Sequence, residues 1–280
     1  MVKKRKIDIL REKTMEKTRK IGLKLYSTNI ANYLPCALAL ARHGVMDYLE
    51  LYLVPGSLET LDAWRAVPLP VVIHAPHLHH GVNFADASRR EVNRRIFGEV
   101  RQFADALHAD CIICHGGTGG TPEETVSQIA ALRDERIVLE NKPHLQHPEV
   151  IPDHPEWRCR GASFEEFSAM VRAIGCGVCH DLTHTICSSA SLGRDWKREL
   201  VRFESLGPRV HHLSDMVSLR DELDTHEALG QGVLELDKVL AVVPDGARIT
   251  LETPKRYPDS LADFEEEVRL CRAAGGLTAD

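Results

Sequence analysis

The residues with the most direct chemical meaning are an aspartate and a histidine three positions apart, Asp181 and His184. They follow the short apolar run Gly177-Val178-Cys179, which predicts a β-strand that ends at the aspartate. A carboxylate and an imidazole at one strand end are suitable ligands for zinc or manganese. The alternative interpretation is an aspartate that caps the next helix, beside a solvent-exposed histidine. The spacing by itself leaves both interpretations open.

Histidine, aspartate and glutamate recur at the ends of other apolar runs. The residues in these positions are His74, His115, Glu140, Asp181, His212 and Glu252, and Asp224 and His226 follow the run that contains His211 and His212. A single polar residue at a strand end is usually a helix cap or a solvated group. Six consecutive strands that end in this way predict convergent side chains, and such groups need cations between them. Because their number exceeds the ligands of one zinc ion, we predict two or three metal ions.

The elements that would position these residues alternate regularly between strands and helices. Short apolar runs predict strands at Ile21–Tyr26, Tyr48–Val54, Pro70–Ala75, Asp110–His115, Arg136–Glu140, Gly177–Asp181, Arg209–Leu213 and Arg248–Glu252. Amphipathic segments predict helices at Ala31–His43, Ser88–Leu107, Pro122–Leu132, Ser163–Ile174, Trp196–Glu204, Glu235–Val242 and Ser260–Ala273. We therefore predict an α/β fold, a single (β/α)8 TIM barrel over residues 21–280, with catalytic groups at the C-terminal strand ends. An open doubly wound sheet is disfavoured because no glycine-rich loop follows the first strand.

Length and composition indicate a globular protein with a full core. The chain has 280 residues, 43% of them hydrophobic, and a formal net charge of −6, which gives no general attraction to nucleic acid. No apolar run approaches the roughly 20 residues that span a bilayer, and the basic start lacks the features of a secretory signal. We expect a cytoplasmic protein without a membrane partner, with an N-terminal extension at residues 1–20. The loop at residues 141–160 is of a length that is usually functional or disordered.

The cysteines do not have the density of a disulfide-stabilised domain, since there are eight in the whole chain. Two pairs, Cys111 with Cys114 and Cys176 with Cys179, have the spacing of a four-cysteine zinc site. Both pairs lie in or against predicted strands, where residues three apart point to opposite faces. We therefore expect buried apolar cysteines rather than a structural zinc site.

The strand-end residues lie in motifs that resemble those of one superfamily. The motifs are His74-Ala75-Pro76-His77, Cys114-His115-Gly116-Gly117, Leu139-Glu140-Asn141, Asp181-Leu182-Thr183-His184, His212-Leu213-Ser214-Asp215, Asp224-Thr225-His226 with Gly230-Gln231-Gly232, and Leu251-Glu252-Thr253. Through them residues 21–275 resemble the AP endonuclease family 2 or xylose isomerase-like TIM-barrel superfamily. The ligand pattern is most similar to that of the endonuclease IV family.

The resemblance to endonuclease IV implies up to three divalent ions, zinc or alternatively manganese. The implied ligand sets are His74, His115 and Glu140 for one ion, Glu140, Asp181, His212 and Glu252 for a second, and His184, Asp224 and His226 for a third. Three differences weigh against recognition of abasic DNA. Residues 22–26 replace the family's Gly-Ala-His-Val-Ser opening, residues 54–57 replace its DNA-penetrating loop, and His77 replaces a tyrosine.

The resemblance supports two kinds of enzyme. The first is a hydrolase of a phosphodiester or phosphate ester, with abasic DNA among its candidate substrates, in which Glu140 orients an activated water and Glu252 assists as a base. The second is a sugar or sugar-phosphate isomerase or epimerase, in which Glu140 and Glu252 move a proton beside a polarised carbonyl. The complete ligand set favours the hydrolase, whereas the acidic charge and the altered loops favour the isomerase. A non-catalytic binding barrel fits poorly, because no ligand has been lost.

Side chains near the mouth of the barrel are available to contact a phosphate group. They are His77, His79, His80, Lys142 and Lys255. For each of them alone, a solvated loop residue is the alternative interpretation.

Overall fold

A computed structural model describes residues 19–275 of the chain. Eight parallel strands close into a barrel in chain order, with the first strand paired to the eighth. The strands are β1 (Lys20–Tyr26), β2 (Tyr48–Tyr52), β3 (Val71–His74), β4 (Ile112–His115), β5 (Ile137–Glu140), β6 (Gly177–Asp181), β7 (Val210–Leu213) and β8 (Arg248–Leu251). Each coincides with a predicted strand, so the predicted (β/α)8 barrel is confirmed. The predicted extension at residues 1–20 lies outside the described residues, apart from its last two positions.

Helices follow the strands and form an outer layer. They are α1 (Ile30–Arg42), α2 (Leu61–Trp64), α3 (Arg90–Ala106), α4 (Pro122–Leu132), α5 (Phe164–Ile174), α6 (Leu182–Leu192), α7 (Trp196–Glu204), α8 (Leu236–Leu240) and α9 (Ala262–Gly275). The side chains of Thr121 and Ser163 cap α4 and α5, because each accepts a hydrogen bond from a backbone N–H in the first turn. Within residues 19–275 no helix is long and apolar enough to cross a membrane.

The list of predicted helices omits α6, and only the alternative interpretation of Asp181, as the cap of the next helix, anticipates it. The helix begins directly after the strand, and Asp181 caps it by accepting a hydrogen bond from the His184 N–H at 2.7 Å. Threonine, serine and cysteine, which are weak helix formers, fill much of the helix. Because its first eight residues are all buried, no polar face alternates with an apolar stripe to mark it in the sequence.

Side chains on each strand alternate between two cores. The inner core fills the barrel and consists of Tyr48, Val72, Cys111, Ile113, Val138, Cys179 and Val210. A larger outer core lies between the strands and the helices and includes Cys114, with Cys176 packed against it. Each predicted cysteine pair is therefore divided between the two faces of the sheet, and all eight cysteines are free thiols.

The inner core depends on a close approach between Gly22 on β1 and Tyr48 on β2. The two residues are register partners, and a Cβ atom at position 22 would overlap the tyrosine ring. The ring cannot easily move aside, because its hydroxyl lies 2.7 Å from Thr250 Oγ1. Thr250 in turn donates to Glu50 Oε2 at 2.6 Å, so Tyr48 supports the polar residues above it.

We expect Gly22→Ala to destabilise the protein by about 1–3 kcal/mol, since the added methyl group overpacks the inner core. Chemical denaturation measures this change. Gly98→Ala is the matched control, because Gly98 lies within α3 and a methyl group added there would have no neighbouring atom within 4 Å. Gly98→Ala should raise the free energy of unfolding by about 0.5–1 kcal/mol, because alanine is the better helix former. Equal stability of Gly22→Ala and the natural protein would mean that the Tyr48 ring has free space.

Candidate metal centre

Glu140, the last residue of β5, lies at the centre of the predicted ligands. Its Oε2 atom lies 3.2 Å from His74 Nε2 and 3.0 Å from His115 Nε2. Its Oε1 atom lies 3.2 Å from His184 Nδ1, and His212 Nδ1 lies 3.6 Å from Oε2. Imidazoles from β3, β4, β7 and the first turn of α6 therefore meet at one buried carboxylate.

Asp181 serves both the helix and this cluster. Its Oδ1 atom caps α6, as the simpler interpretation of the sequence predicts. Its Oδ2 atom lies 3.5 Å from His184 Nδ1 and 4.0 Å from His212 Nδ1. The same His212 Nδ1 atom is also 2.7 Å from Glu252 Oε1. One carboxylate can therefore end the strand, start the helix and face the other predicted ligands.

Asp224 and His226 form a third group with His184, beside the residues around Glu140 and those around Asp181. Asp224 Oδ2 lies 2.9 Å from His184 Nε2 and is in direct contact with His226 Nε2. His226 Nδ1 lies 3.8 Å from Glu252 Oε2, which connects this group to β8. The structure thus brings together all nine predicted ligands, and we call this group the basin: His74, His115, Glu140, Asp181, His184, His212, Asp224, His226 and Glu252.

Backbone carbonyls fix the orientation of three basin histidines. The Nδ1 atoms of His74, His184 and His226 lie 2.9, 2.9 and 3.0 Å from the carbonyl oxygens of Ala75, Asn141 and Glu252. A carbonyl oxygen only accepts, so each Nδ1 carries a ring proton, and in the neutral ring each Nε2 presents a lone pair to the basin. Metal-binding histidines are usually held in this way by a second hydrogen bond.

Two charged residues that the sequence analysis did not select also contact the basin. Glu50 is fully buried in β2, and its Oε2 atom accepts a hydrogen bond from His212 Nε2 at 3.0 Å. Lys24 on β1 makes an ion pair with Glu252, and its Nζ atom lies 3.3 Å from Glu50 Oε1. Burial opposes the charge of Lys24, but the Glu252 and Glu50 carboxylates raise its pKa well above the usual value. In the sequence, Glu50 is the one charged residue within the otherwise apolar strand Tyr-Leu-Glu-Leu-Tyr, and this could have identified it as a buried functional residue.

The basin contains buried atoms whose hydrogen-bonding capacity is unmet. Glu140 Oε1, His212 Nδ1 and Asp224 Oδ1 are among the few buried side-chain polar atoms of the described residues without a hydrogen-bond partner. Leaving such acceptors unsatisfied costs roughly 1–3 kcal/mol each. Converging carboxylate oxygens and imidazole nitrogens are the donor set of a divalent metal, so the residues fit such ions.

A cavity of about 440 Å³ opens beside the basin. It is lined by basin residues His226 and Glu252, by Lys24 and Lys255, and by Tyr26, Tyr33, Tyr52 and His77, among others. Of the residues predicted to contact phosphate, His77 and Lys255 therefore line this cavity. Lys142 does not line it; its Nζ atom lies 3.3 Å from His184 Nε2. Neither of the other two lines the cavity: His80 Nδ1 is hydrogen-bonded to the Tyr52 hydroxyl, and the side chain of His79 is exposed.

Comparison with known proteins agrees with this architecture. A family model described as xylose isomerase-like TIM barrel matches residues 57–274 of the chain. The chain belongs to the xylose isomerase-like TIM barrel family. Among curated proteins, none matches the sequence.

Solved structures similar to this xylose isomerase-like barrel carry different activities in their names. Endonuclease IV from Thermus thermophilus has a TM-score of 0.66 and 22% identity, with 91% of this chain and 98% of that chain covered. A D-tagatose 3-epimerase-like protein has a TM-score of 0.67 and 16% identity, with 91% and 98% covered. The 3-keto-D-glucoside 4-epimerase of E. coli has a TM-score of 0.59 and 13% identity, with 91% and 100% covered. At these identities the likeness extends to the fold, and the reaction must be inferred from the basin.

We expect Glu50→Gln to weaken zinc binding by about 10- to 100-fold, the usual effect of changing the outer partner of a metal-binding histidine. The amide keeps the shape of the side chain but removes the charge that orients His212. Competition with a chromophoric chelator measures the affinity. Glu59→Gln changes an exposed glutamate and serves as the matched control, which should bind zinc like the natural protein. An unchanged affinity in Glu50→Gln would show that Glu50 does not support the site.

Proposed function

We propose that the protein is a metal-dependent hydrolase that cleaves a phosphodiester or phosphate ester in an endonuclease IV-like basin. The observation that carries this proposal is the group His184, Asp224 and His226, which adjoins Glu140 within 3.2 Å. A single-metal isomerase site does not need this third group. Its presence beside the other two groups supports a multinuclear site, which is the arrangement suited to phosphoryl chemistry.

The nine residues of the basin divide into three overlapping ligand sets. In our proposal the sets are His74, His115 and Glu140; then Glu140, Asp181, His212 and Glu252; and finally His184, Asp224 and His226. The mixture of imidazole and carboxylate favours zinc, with manganese as the alternative. When bound, such ions supply an acidified water and neutralise negative charge on the phosphoryl oxygens and the leaving oxygen.

The chain's own residues would bind and orient the phosphate group. Lys142 Nζ lies 3.6 Å from Glu140 Oε1, and Lys24 is paired with Glu252, so an ammonium group lies on each side of the basin. Burial disfavours the charge of Lys142, but Glu140 and Asp224 raise its pKa, which keeps it a cation near neutral pH. These ammonium groups can hold non-bridging phosphate oxygens. Glu140 is positioned to orient the attacking water, and Glu252 to accept its proton.

The size of the cavity favours a small substrate. A volume of about 440 Å³ falls in the range of small-molecule sites. Tyr26 and Tyr52 form an edge-to-face pair with ring centroids 5.1 Å apart beside the two lysines that line the cavity. Aromatic rings of this kind pack against sugar or base rings, so a phosphorylated sugar or a nucleotide is a better match than duplex DNA. Abasic DNA is the substrate to be tested against them.

We expect His184→Ala to lower phosphoesterase kcat/KM by at least about 100-fold, because it removes charge stabilisation at one of the three sets. Elemental analysis should also show a loss of about one of the three basin ions per chain, relative to the natural protein. The assay panel consists of abasic-site DNA, nucleotides and sugar phosphates. His43→Ala, which changes an exposed histidine at the end of α1 and outside the basin, is the control. Full phosphoesterase activity in His184→Ala would contradict the trinuclear assignment.

The second candidate is a sugar or sugar-phosphate isomerase or epimerase. The observation in its favour is that Glu140 and Glu252 approach the same His212 Nδ1 atom, at 3.6 and 2.7 Å. Two carboxylates on either side of one metal position could exchange a proton with the carbon next to a carbonyl. Lys24 beside Glu252 would then contact the substrate, and one ion bound by Glu140, Asp181, His212 and Glu252 would suffice.

Incubation with a panel of ketoses and ketose phosphates in deuterium oxide separates the two candidates. The hydrolase proposal predicts no deuterium at the carbon next to the carbonyl, since no carbon acid is deprotonated. An isomerase or epimerase would incorporate deuterium there and would lose this activity in Glu140→Gln and Glu252→Gln while His184→Ala retains it. Deuterium incorporation with only one ion in the basin, particularly manganese, would replace the hydrolase proposal by the isomerase.

A further inference from the structure

A second polar cluster lies outside the barrel, on the opposite face of the strands that carry Asp181 and His212. His180 on β6 and His211 on β7 are register partners and are fully buried between the sheet and the helices. Glu204, the last residue of α7, reaches them from the helix layer. The cluster shares none of its side chains with the basin, because alternation along each strand separates the two faces.

The three side chains converge on one carboxylate oxygen. Glu204 Oε2 lies 2.9 Å from His211 Nε2 and 3.3 Å from His180 Nδ1. The three atoms lie within 4.8 Å of one another. Zinc binds nitrogen and oxygen ligands at about 2.0–2.2 Å, which places tetrahedral ligand atoms roughly 3.3 Å apart. The observed separations therefore suit a shared ion.

The partner of His211 Nδ1 bears on whether Nε2, the ring nitrogen that faces Glu204, carries a proton or a lone pair. His211 Nδ1 lies 3.2 Å from the Arg248 carbonyl oxygen, which only accepts, so one of the two neutral tautomers donates its Nδ1–H to this carbonyl. In that tautomer, Nε2 presents its lone pair to the Glu204 carboxylate at 2.9 Å. Two acceptors at this distance repel each other unless a positive charge lies between them.

His180 has a similar arrangement. Its Nε2 atom lies 3.1 Å from Thr185 Oγ1, and the Thr185 hydroxyl can donate its one proton to the Asp181 carbonyl oxygen, also at 3.1 Å. In that arrangement His180 Nε2–H donates to Thr185, and Nδ1 directs a lone pair at Glu204. Two imidazole lone pairs and a carboxylate oxygen are thus available to one cation.

We propose that His180, Glu204 and His211 form an additional site for a divalent ion, zinc by its ligand chemistry, between β6, β7 and the end of α7. Two histidines and a glutamate are a known zinc ligand set. Glu204 is the most accessible of the three, with 16% of its side chain exposed, and provides the entry path. The ion stabilises the structure by joining the helix end to two strands. It also positions Asp181 and His212, which are the next residues on those strands.

Anomalous diffraction at the zinc absorption edge, from crystals of the full chain grown with zinc, is the direct test. We expect a peak bounded by His180 Nδ1, His211 Nε2 and Glu204 Oε2. Absence of a peak there would overturn the proposal, whether or not the crystals show zinc peaks at other places. It would indicate that a proton, rather than a metal ion, lies between Glu204 and a histidine. This site is independent of whether the basin binds metal or cleaves phosphate esters.

Metal counting provides a second measurement. The zinc-loaded Glu204→Gln variant, dialysed to remove loosely bound ions, should contain about one ion per chain fewer than the natural protein. Glu199→Gln is the matched control, because Glu199 lies on the same helix but pairs with Arg194 and Arg202. Circular dichroism checks that both variants are folded. Equal zinc content in a folded Glu204→Gln variant and the natural protein would exclude the site.

Discussion

Charge compensation among buried acidic and imidazole groups at one end of the barrel is the constraint on which this structure depends. Glu50, Glu140, Asp181 and Glu252 are all buried there, and an unpaired buried carboxylate would cost several kcal/mol. Lys24 and the histidines offset part of this cost through direct contacts. The buried acceptor atoms left without partners mark where further positive charge would be stabilised, so the arrangement is suited to a metal ion.

The closed parallel barrel makes this arrangement geometrically simple. All strands point the same way, so their C-terminal ends meet at one rim, and every second residue faces the interior. Asp181 and His212 are register partners on adjacent strands and both face inward. Below them, Tyr48, Thr250 and Glu50 form a chain of hydrogen bonds that links the apolar inner core to the basin. Packing in the core and the position of the ligands are therefore coupled.

The same alternation gives β6 and β7 a second polar face. His180 and His211 point away from the barrel axis and meet Glu204 in the helix layer. Adjacent residues of one strand thus contribute to two separate clusters. The outer cluster is therefore separated from Asp181 and His212 by only one peptide unit on each strand.

The sequence by itself determined the strands, most helices and the identity of the nine basin residues, because run length, periodicity and residue type are local properties. It left α6 as one of two open interpretations, because the weak helix formers of this helix are stabilised by burial. It did not reveal Glu50 and Lys24, since their contacts with Thr250 and Glu252 join residues some 200 or more positions apart. Only the tertiary structure decided that Asp181 is both a cap and a basin residue, because closure of the barrel sets which distant side chains meet.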